Sequence, residues 1–380
     1  MAMTDTKVAG DEAALVEAAR SGDQAAFERL VARYRRPLHA HCYRMLGSLQ
    51  DAEDALQETL LAAWRGLSGF EGRSSLQTWL YRIATHASMR LASRRRPRVL
   101  SEDRSPAWND VWELGRMVDE PVWLEPFPDA DPADPAGAAG ATDPADPADR
   151  YERHESVELA FVAALQHLPA NQRAVLILRE VLEFSAAEVA ELLDTTVPAV
   201  NSALQRARRT VDSRLANGQA AELRALGAAG VERLVARFVA AWESADVAAL
   251  LDLLADDAHF SMPPIPAWFA GKEDIGRFLG ERVFQSDWRL VRAHANGQLA
   301  VACYERRPDA EESGASGGSE GSEVSCVEGQ ERRPGTGQFE LSCVKVLTLR
   351  GGRIVGLTGF LDPSVHARFG LPKVMPDDER

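Results

Sequence analysis

A chain of 380 residues, 45% of them hydrophobic, is long enough for two or three domains with real cores. Its net charge of −14 argues against a protein that coats nucleic acid uniformly. Cys42, Cys303, Cys326 and Cys343 show no metal-ligand spacing and suit a reducing compartment. The N-terminus has no signal-like apolar core, and no apolar run is long enough to span a bilayer. The expectation is a cytoplasmic protein without membrane insertion, metal or cofactor.

In chain order, residues 10–98 are helical in pattern. Asp23 reads as the cap of a helix carrying Phe27, Leu30, Val31 and Tyr34. Asp51 reads as the cap of the next, carrying Ala55, Leu56, Leu60 and Trp64. A polar, glycine-containing loop follows from Gly66 to Ser75. A third helix is predicted from Leu76 to Arg95, ending before Pro97.

Charge is segregated along the chain. From Arg82 to Arg104 there are seven Arg against Glu102 and Asp103, whereas residues 105–155 hold thirteen acids against three Arg. Residues 99–150 read as an acidic linker, with Asp-Pro pairs in an Ala/Gly-rich stretch that cannot build a packed core. The island Trp123-Leu124-Glu125-Pro126-Phe127-Pro128-Asp129 stands out as a docking segment.

Residues 151–216 return to helix. Ser185 caps a short helix, Glu188 completes a capping box, and Phe184 with Val189 forms a hydrophobic staple. The pattern breaks at Asp194-Thr195-Thr196. Thr196 then caps a second helix, with Pro198 and Ala199 in its first turn. Val200, Leu204 and Ala207 share one face; Asn201, Ser202, Gln205, Arg206 and Arg209 lie outside it. Amides, a hydroxyl and guanidinium groups on a second helix suit a major groove. The same pattern also fits an ordinary helical hairpin with a solvated basic face.

Residues 217–230 read as a second junction. Residues 231–380 differ in kind. A helix over Val231–Ser244 and the segment Val247–Ala255 precede strand-like runs at His259–Met262, Leu299–Tyr304, Phe339–Leu349 and Arg353–Phe360. That is an α+β pattern, interrupted at 307–338 by a Gly/Ser/Glu-rich stretch expected to be a disordered loop.

The order of parts carries a resemblance. Asp51-Ala-Glu-Asp-Ala-Leu-Gln-Glu58, Phe70, Thr78-Trp-Leu-Tyr-Arg-Ile-Ala84 and Arg94-Arg-Arg96 resemble domain two of extracytoplasmic-function sigma factors of the sigma-70 family. Leu165-Gln-His-Leu-Pro-Ala-Asn-Gln-Arg-Ala-Val-Leu176, followed by the hairpin, resembles their domain four. Trp242-Glu-Ser-Ala-Asp246, Leu254-Ala-Asp-Asp-Ala258 and Gly271-Lys-Glu-Asp-Ile275 resemble a SnoaL-like domain. The implied architecture is multidomain: two all-α sigma domains, the second with the helix-turn-helix, and a C-terminal α+β SnoaL-like cone. The boundaries are 10–98, a linker at 99–150, 151–216, and 231–380.

What the resemblance implies is a sigma factor that binds bacterial core RNA polymerase, reads −10 and −35 promoter elements and promotes initiation without catalysis of its own. Asp51, Glu53, Asp54, Leu56, Gln57 and Glu58 would face polymerase. Capping and dipole compensation alone already account for Asp51 and Glu53, and account less well for Glu58. Phe70, Arg73, Ser74, Arg82, His86, Arg90, Arg94 and Arg95 would serve the −10 element, with the Gly69–Ser75 loop trapping a flipped base. Arg96 and Arg98 would join the backbone contacts. His86 departs from the family's usual Asn, a change expected to be tolerated. Thr196, Pro198, Ala199, Asn201, Ser202, Gln205, Arg206 and Arg209 would serve the −35 element.

The C-terminal domain would modulate activity through packing, a small-molecule ligand or an anti-sigma partner. Asp256, Asp257, His259 and Asp274 are the groups available to an enzymatic variant of that fold, and Trp268, Phe269 and Trp288 belong to its pocket or its core. The alternative function is a polymerase-independent helix-turn-helix regulator with a ligand-binding or enzymatic C-terminal domain.

Overall fold

A computed structural model of the protein describes residues 12–118, 122–129, 158–214, 219–307 and 338–375. The Asp-Pro stretch and nearly all of the 307–338 loop lie outside the described residues. The chain divides into two compact units.

The first unit is helical. Helix α1 covers residues 12–20, and α2 covers Gln24–Leu46, capped by the Asp23 carboxylate on Ala26 N–H. Helix α3 (Leu49–Gly66) is capped by Ser48 rather than Asp51. The reason is Gly47, which ends α2 in the left-handed region at φ 70° and leaves Ser48 extended at the start of the next helix. Asp51 thereby falls inside the helix and is buried. Helix α4 (Leu76–Ala92), capped by Ser75, stops short of the predicted Arg95. Pro97 disfavours helical geometry for the residue before it, and the arginine run leaves the helix exposed.

The second helical block contains α5 (Leu159–Gln166), α6 (Ala170–Leu176, continued by a π turn at Ile177–Val181), α7 (Ala186–Leu192) and α8 (Val197–Asp212). Its core is Leu165, Leu176, Ile177, Val189, Val200 and Leu204. Buried Arg173 ties this block to α2. It donates to the Met45 carbonyl, to Gln166 Oε1 at 2.7 Å and to the Leu168 carbonyl at 3.0 Å.

Among the described residues, the second unit is a seven-stranded sheet with helices packed against it. Helix α9 covers Gln219–Glu243 and turns at Gly227, φ 65°, ψ 165°. The expected junction at 217–230 is therefore helical from Gln219 onward. Gln219 anchors it by bonding both backbone groups of Leu349, at 2.8 and 2.6 Å, and Leu223 and Leu226 pack on the core. Helix α10 (Val247–Leu253) follows, then β1 (Leu254–Ser261), β2 (Trp268–Ala270), α11 (Gly271–Glu281), β3 (Trp288–Ala295), β4 (Gln298–Arg306), β5 (Phe339–Arg350), β6 (Arg353–Phe360) and β7 (Val374–Met375).

The sheet order is β2-β1-β6-β5-β4-β3, with β7 paired to β5; the β1–β6 pair is parallel and the other pairs are antiparallel. Strand β1 starts earlier than predicted. Asp256 and Asp257 belong to it, with a register shift between Leu254 and His259 that leaves both aspartates exposed. Phe238, Trp242, Phe260, Phe278, Val301, Leu347 and Leu357 fill the interior.

Candidate DNA and polymerase-binding surfaces

The helix-turn-helix forms as its residues dictate. Ser185 accepts from Glu188 N–H at 3.2 Å, and the Glu188 carboxylate accepts from Ser185 N–H at 2.8 Å. The Ser185 hydrogen bonds hold the Glu188 carboxyl below its ordinary range. Asp194 turns the chain at φ 51°, a conformation that Asp tolerates. Thr196 caps α8 by accepting from Ala199 N–H. Val200, Leu204 and Ala207 are buried, while Thr196, Pro198, Ala199, Asn201, Ser202, Gln205, Arg206 and Arg209 are all exposed. Helical spacing puts Pro198, Asn201, Ser202, Gln205, Arg206 and Arg209 on one face.

The α3–α4 face is different. Asp51 is 1% exposed and lies between Arg98 Nη2, at 2.7 Å, and Arg95. Arg98 is itself 4% exposed, so it is an internal anchor and not a phosphate contact. Leu56 is also buried. Glu53 and Asp54 are half-buried, and Gln57 and Glu58 are exposed. Arg90 holds Glu58 at 2.5 Å, and Arg82 holds Asp194 of the helix-turn-helix at 2.8 Å. His86 Nε2 lies 3.0 Å from the Leu192 carbonyl at the end of α7. Thus Arg82 and His86, expected at the −10 element, meet the turn of the second helical block, and Tyr81 packs edge-on against Phe184 at 5.8 Å. Arg94 is exposed.

The Gly69–Ser75 loop borders a groove of about 660 Å³ whose walls include Phe70, Gly72, Ser74 and Ser75 on one side and Arg20 and Arg33 on the other. Phe70 is half-buried against Trp79, with ring centroids 5.0 Å apart. Arg73 is exposed and pairs with Glu71.

The Trp123–Asp129 island packs tightly within the first unit. Trp123, Leu124 and Phe127 are buried, Phe127 lies against Tyr43 at 4.8 Å, and Val99 and Trp123 form a parallel bridge. The sequence signal was the aromatic island; the role of Glu125 was not visible in it. Its carboxylate accepts from Leu49 N–H at 2.6 Å and Ser48 Oγ at 3.0 Å, adding a second cap to α3, while its carbonyl accepts from Tyr43 Oη at 2.5 Å. Gly47 is needed there, because a Cβ would come within 2.8 Å of Leu124 Cδ1.

Residues 101–118 do not behave as a passive tether. They belong to the second unit. Trp108 N–H donates to the Trp268 carbonyl at 2.8 Å, Trp268 Nε1 donates to the Ser105 carbonyl at 2.8 Å, and Val118 N–H donates to the Pro264 carbonyl at 3.2 Å. Val111 is fully buried in the core of the cone, flanked by Trp108 and Leu114. Glu102 sits 3.5 Å from His259. The composition of the whole linker hid this apolar triplet, spaced by three residues.

The carboxylates available for enzymatic work lie apart. Asp256 pairs with Lys272 at 3.1 Å, Asp257 with Arg350 at 2.5 Å, and Asp274 with Arg277 at 3.8 Å. The Arg350 hydrogen bonds hold the Asp257 carboxyl below its ordinary range. Phe269 is core, stacked on Phe278 at 4.5 Å; Trp268 and Trp288 are half-buried.

Comparison with known proteins fits this geometry. Residues 30–98 match Sigma-70 region 2, residues 158–211 match Sigma-70 region 4, and residues 235–357 match the SnoaL-like domain. The ECF RNA polymerase sigma factor SigG of Mycobacterium tuberculosis is 39% identical over 346 residues, 89% of this chain and 82% of that protein. The RNA polymerase sigma-H factor of Pseudomonas aeruginosa is 28% identical over 201 residues, 53% of this chain and 92% of that protein. The crystal structure of the M. tuberculosis extracytoplasmic-function sigma factor SigJ shares the fold, with a TM-score of 0.54 at 20% identity over 91% of this chain and 99% of that one. Two sigma-70 regions in order, a SnoaL-like domain after them, and a relative that spans both place this chain in the extracytoplasmic-function sigma factors of RNA polymerase.

Proposed function

We propose that the promoter is read by two surfaces of unequal readiness. Helix α8 meets the −35 element with Asn201, Ser202, Gln205, Arg206 and Arg209, and the Phe70–Ser75 loop with Arg82, His86, Arg90, Arg94 and Arg95 serves the −10 element. Glu53, Asp54, Gln57 and Glu58 orient the polymerase contact from α3, and Asp51 and Leu56 support that helix from inside. The observation that carries this reading is the exposed polar face of α8 in a capped helix-turn-helix. The function is non-enzymatic and is exercised in the cytoplasm with polymerase; no helix among the described residues is long and apolar enough to cross a membrane.

The second unit regulates, in place of or beside a separate anti-sigma partner. What supports this is its hold on residues 101–118, the first part of the segment joining the two sigma regions. The ion pairs of Asp256, Asp257 and Asp274, the first two of them exposed, favour regulation over catalysis, since carboxylate bases work from apolar pockets.

The test is capture of core polymerase by the full-length protein, followed by transcription from a promoter library. Promoter-selective initiation is expected; tight duplex binding without polymerase association would favour the autonomous regulator. Val111→Asp, which expels the linker segment from the cone, is expected to change transcription from the cognate promoter. Unchanged output and promoter choice would remove the regulatory role.

A further inference from the structure

The interior of the cone holds a lysine where packing alone calls for an apolar side chain. Lys345 of β5 lies opposite Gly359 of β6 and is 2% exposed. Its Nζ stands 3.4 Å from the centre of the Trp242 ring and 4.7 Å from that of Phe260. It makes no hydrogen bond and no ion pair among the described residues. The titratable groups acting on it are the thiols of Cys303 and Cys343, which face each other across β4 and β5. Trp242 is 1% exposed, and its indole Nε1 also has no partner. Two buried donors therefore meet without an acceptor. Buried polar groups are ordinarily paired, and holding this amine charged is costly: burial pushes the Lys345 pKa down, and the two thiols oppose that only in part. The aromatic faces offset only part of that cost.

We propose that the interior of the cone is a binding site for a small organic acid, whose carboxylate takes the Lys345 ammonium and the Trp242 Nε1–H as its two partners. A carboxylate supplies what the site lacks: one negative charge and two acceptor oxygens. A neutral carbonyl or alcohol would satisfy a donor and leave the charge unmatched. A phosphate would bring more acceptor oxygens and more charge than one amine and one indole can meet. Trp242 and Phe260, with ring planes 10° apart, both flank the amine, so an acid that reaches it meets an aromatic surround. Val111 of the linker segment is packed in the same core, so occupancy of the interior is coupled to the seat of residues 101–118. That consequence, though not the binding itself, rests on the regulatory reading given above.

The test uses the full-length protein and two probe pairs, 3-phenylpropionate with 3-phenylpropanol and octanoate with octanol. Affinity is measured by calorimetry and by thermal unfolding. Each acid is expected to bind about tenfold tighter than its alcohol, the preference of a charge-assisted pair over a neutral one. Lys345→Met removes that preference and, without ligand, unfolds at higher temperature, since an unpaired buried amine is gone. Trp242→Phe keeps the ring and weakens the acids alone, by a few-fold. No binding by either acid, equal affinity for acid and alcohol, or an intact preference in Lys345→Met would overturn the site. If Lys345→Met does not fold, the acid–alcohol comparison and Trp242→Phe decide alone. Transcription is read separately. Binding of the acid without any effect on initiation keeps the site and overturns its regulatory consequence. A Val111→Asp effect with no preference for the acid does the reverse.

Discussion

Helix α8 and the α3–α4 face are both arginine-rich parts of the first unit, yet they stand in different states. On α8, Arg206 and Arg209 are exposed beside Asn201, Ser202 and Gln205, ready for a groove. On the α3–α4 face, Arg82, Arg90 and Arg95 each already hold a carboxylate, from Asp194, Glu58 and Asp51 respectively. The same residue type at similar density is a presented surface in one place and a set of closed pairs in the other. The Arg82 and Arg90 pairs are exposed on both sides and worth about 0–1 kcal/mol each, so on the proposed reading promoter phosphates exchange with Asp194 and Glu58 at little net cost, whereas Arg95 is held by buried Asp51. If these are the −10 and −35 surfaces proposed above, that exchange makes the first sensitive to salt and to the position of the helix-turn-helix, whereas the second needs no rearrangement.

The largest test of this contrast is Asp51→Ala. Among the described residues it leaves Arg98 buried with Glu125, at 3.9 Å, as its counter-charge. A loss of about 3–5 kcal/mol in urea unfolding is expected from breaking a buried pair. A loss below about 1 kcal/mol would move Asp51 and Arg98 into the exchangeable class. Arg206→Ala is expected to cost about 1–3 kcal/mol of discrimination at one position of the −35 element, measured across base substitutions. A uniform loss over all sequences would assign Arg206 to phosphate.

A third test probes the core beneath α4. His41 is fully buried, bonded to Thr85 Oγ1 at 2.9 Å, and its pKa falls to about 3 through burial and the nearby Arg44 charge. A histidine kept neutral in the folded state contributes stability above its unfolded value near 6.5. That stability is lost as the pH falls from there toward 3, by up to about 1.4 kcal/mol per pH unit. His41→Gln should flatten the stability profile between pH 6.5 and 5; an unchanged profile would place the proton elsewhere. The smallest effect on stability is expected from Asp194→Asn. It keeps a residue tolerant of the left-handed turn and an acceptor for Arg82 but removes the negative charge of the pair, changing unfolding free energy by less than about 1 kcal/mol. Salt-dependent open-complex formation should be easier in that variant, and an unaltered salt slope would show that Arg82 does not exchange.

The helix-turn-helix was legible because every determinant is local. Ser185, Glu188, Asp194, Thr196 and Pro198 act within a few residues of themselves, and the exposed face of α8 follows from helical periodicity. The cap of α3 was misread because Asp51 and Ser48 are both good caps, and the choice between them falls to Gly47 and Glu125, the latter far away in sequence. The linker was misread because its Asp-Pro composition masked Trp108, Val111 and Leu114, whose partners lie beyond residue 230.

Chain order and local chemistry thus determined by themselves that two helical regions, the second with a capped helix-turn-helix, precede an α+β domain. The family likeness rests on the same short motifs. Only the tertiary structure decided which charges are internal and which are presented, that residues 101–118 belong with the cone, and that Lys345 and Trp242 meet without an acceptor. The reason is physical: capping and helical periodicity are set within a turn or two of the chain, while burial and charge pairing depend on residues that folding brings together from opposite ends of it.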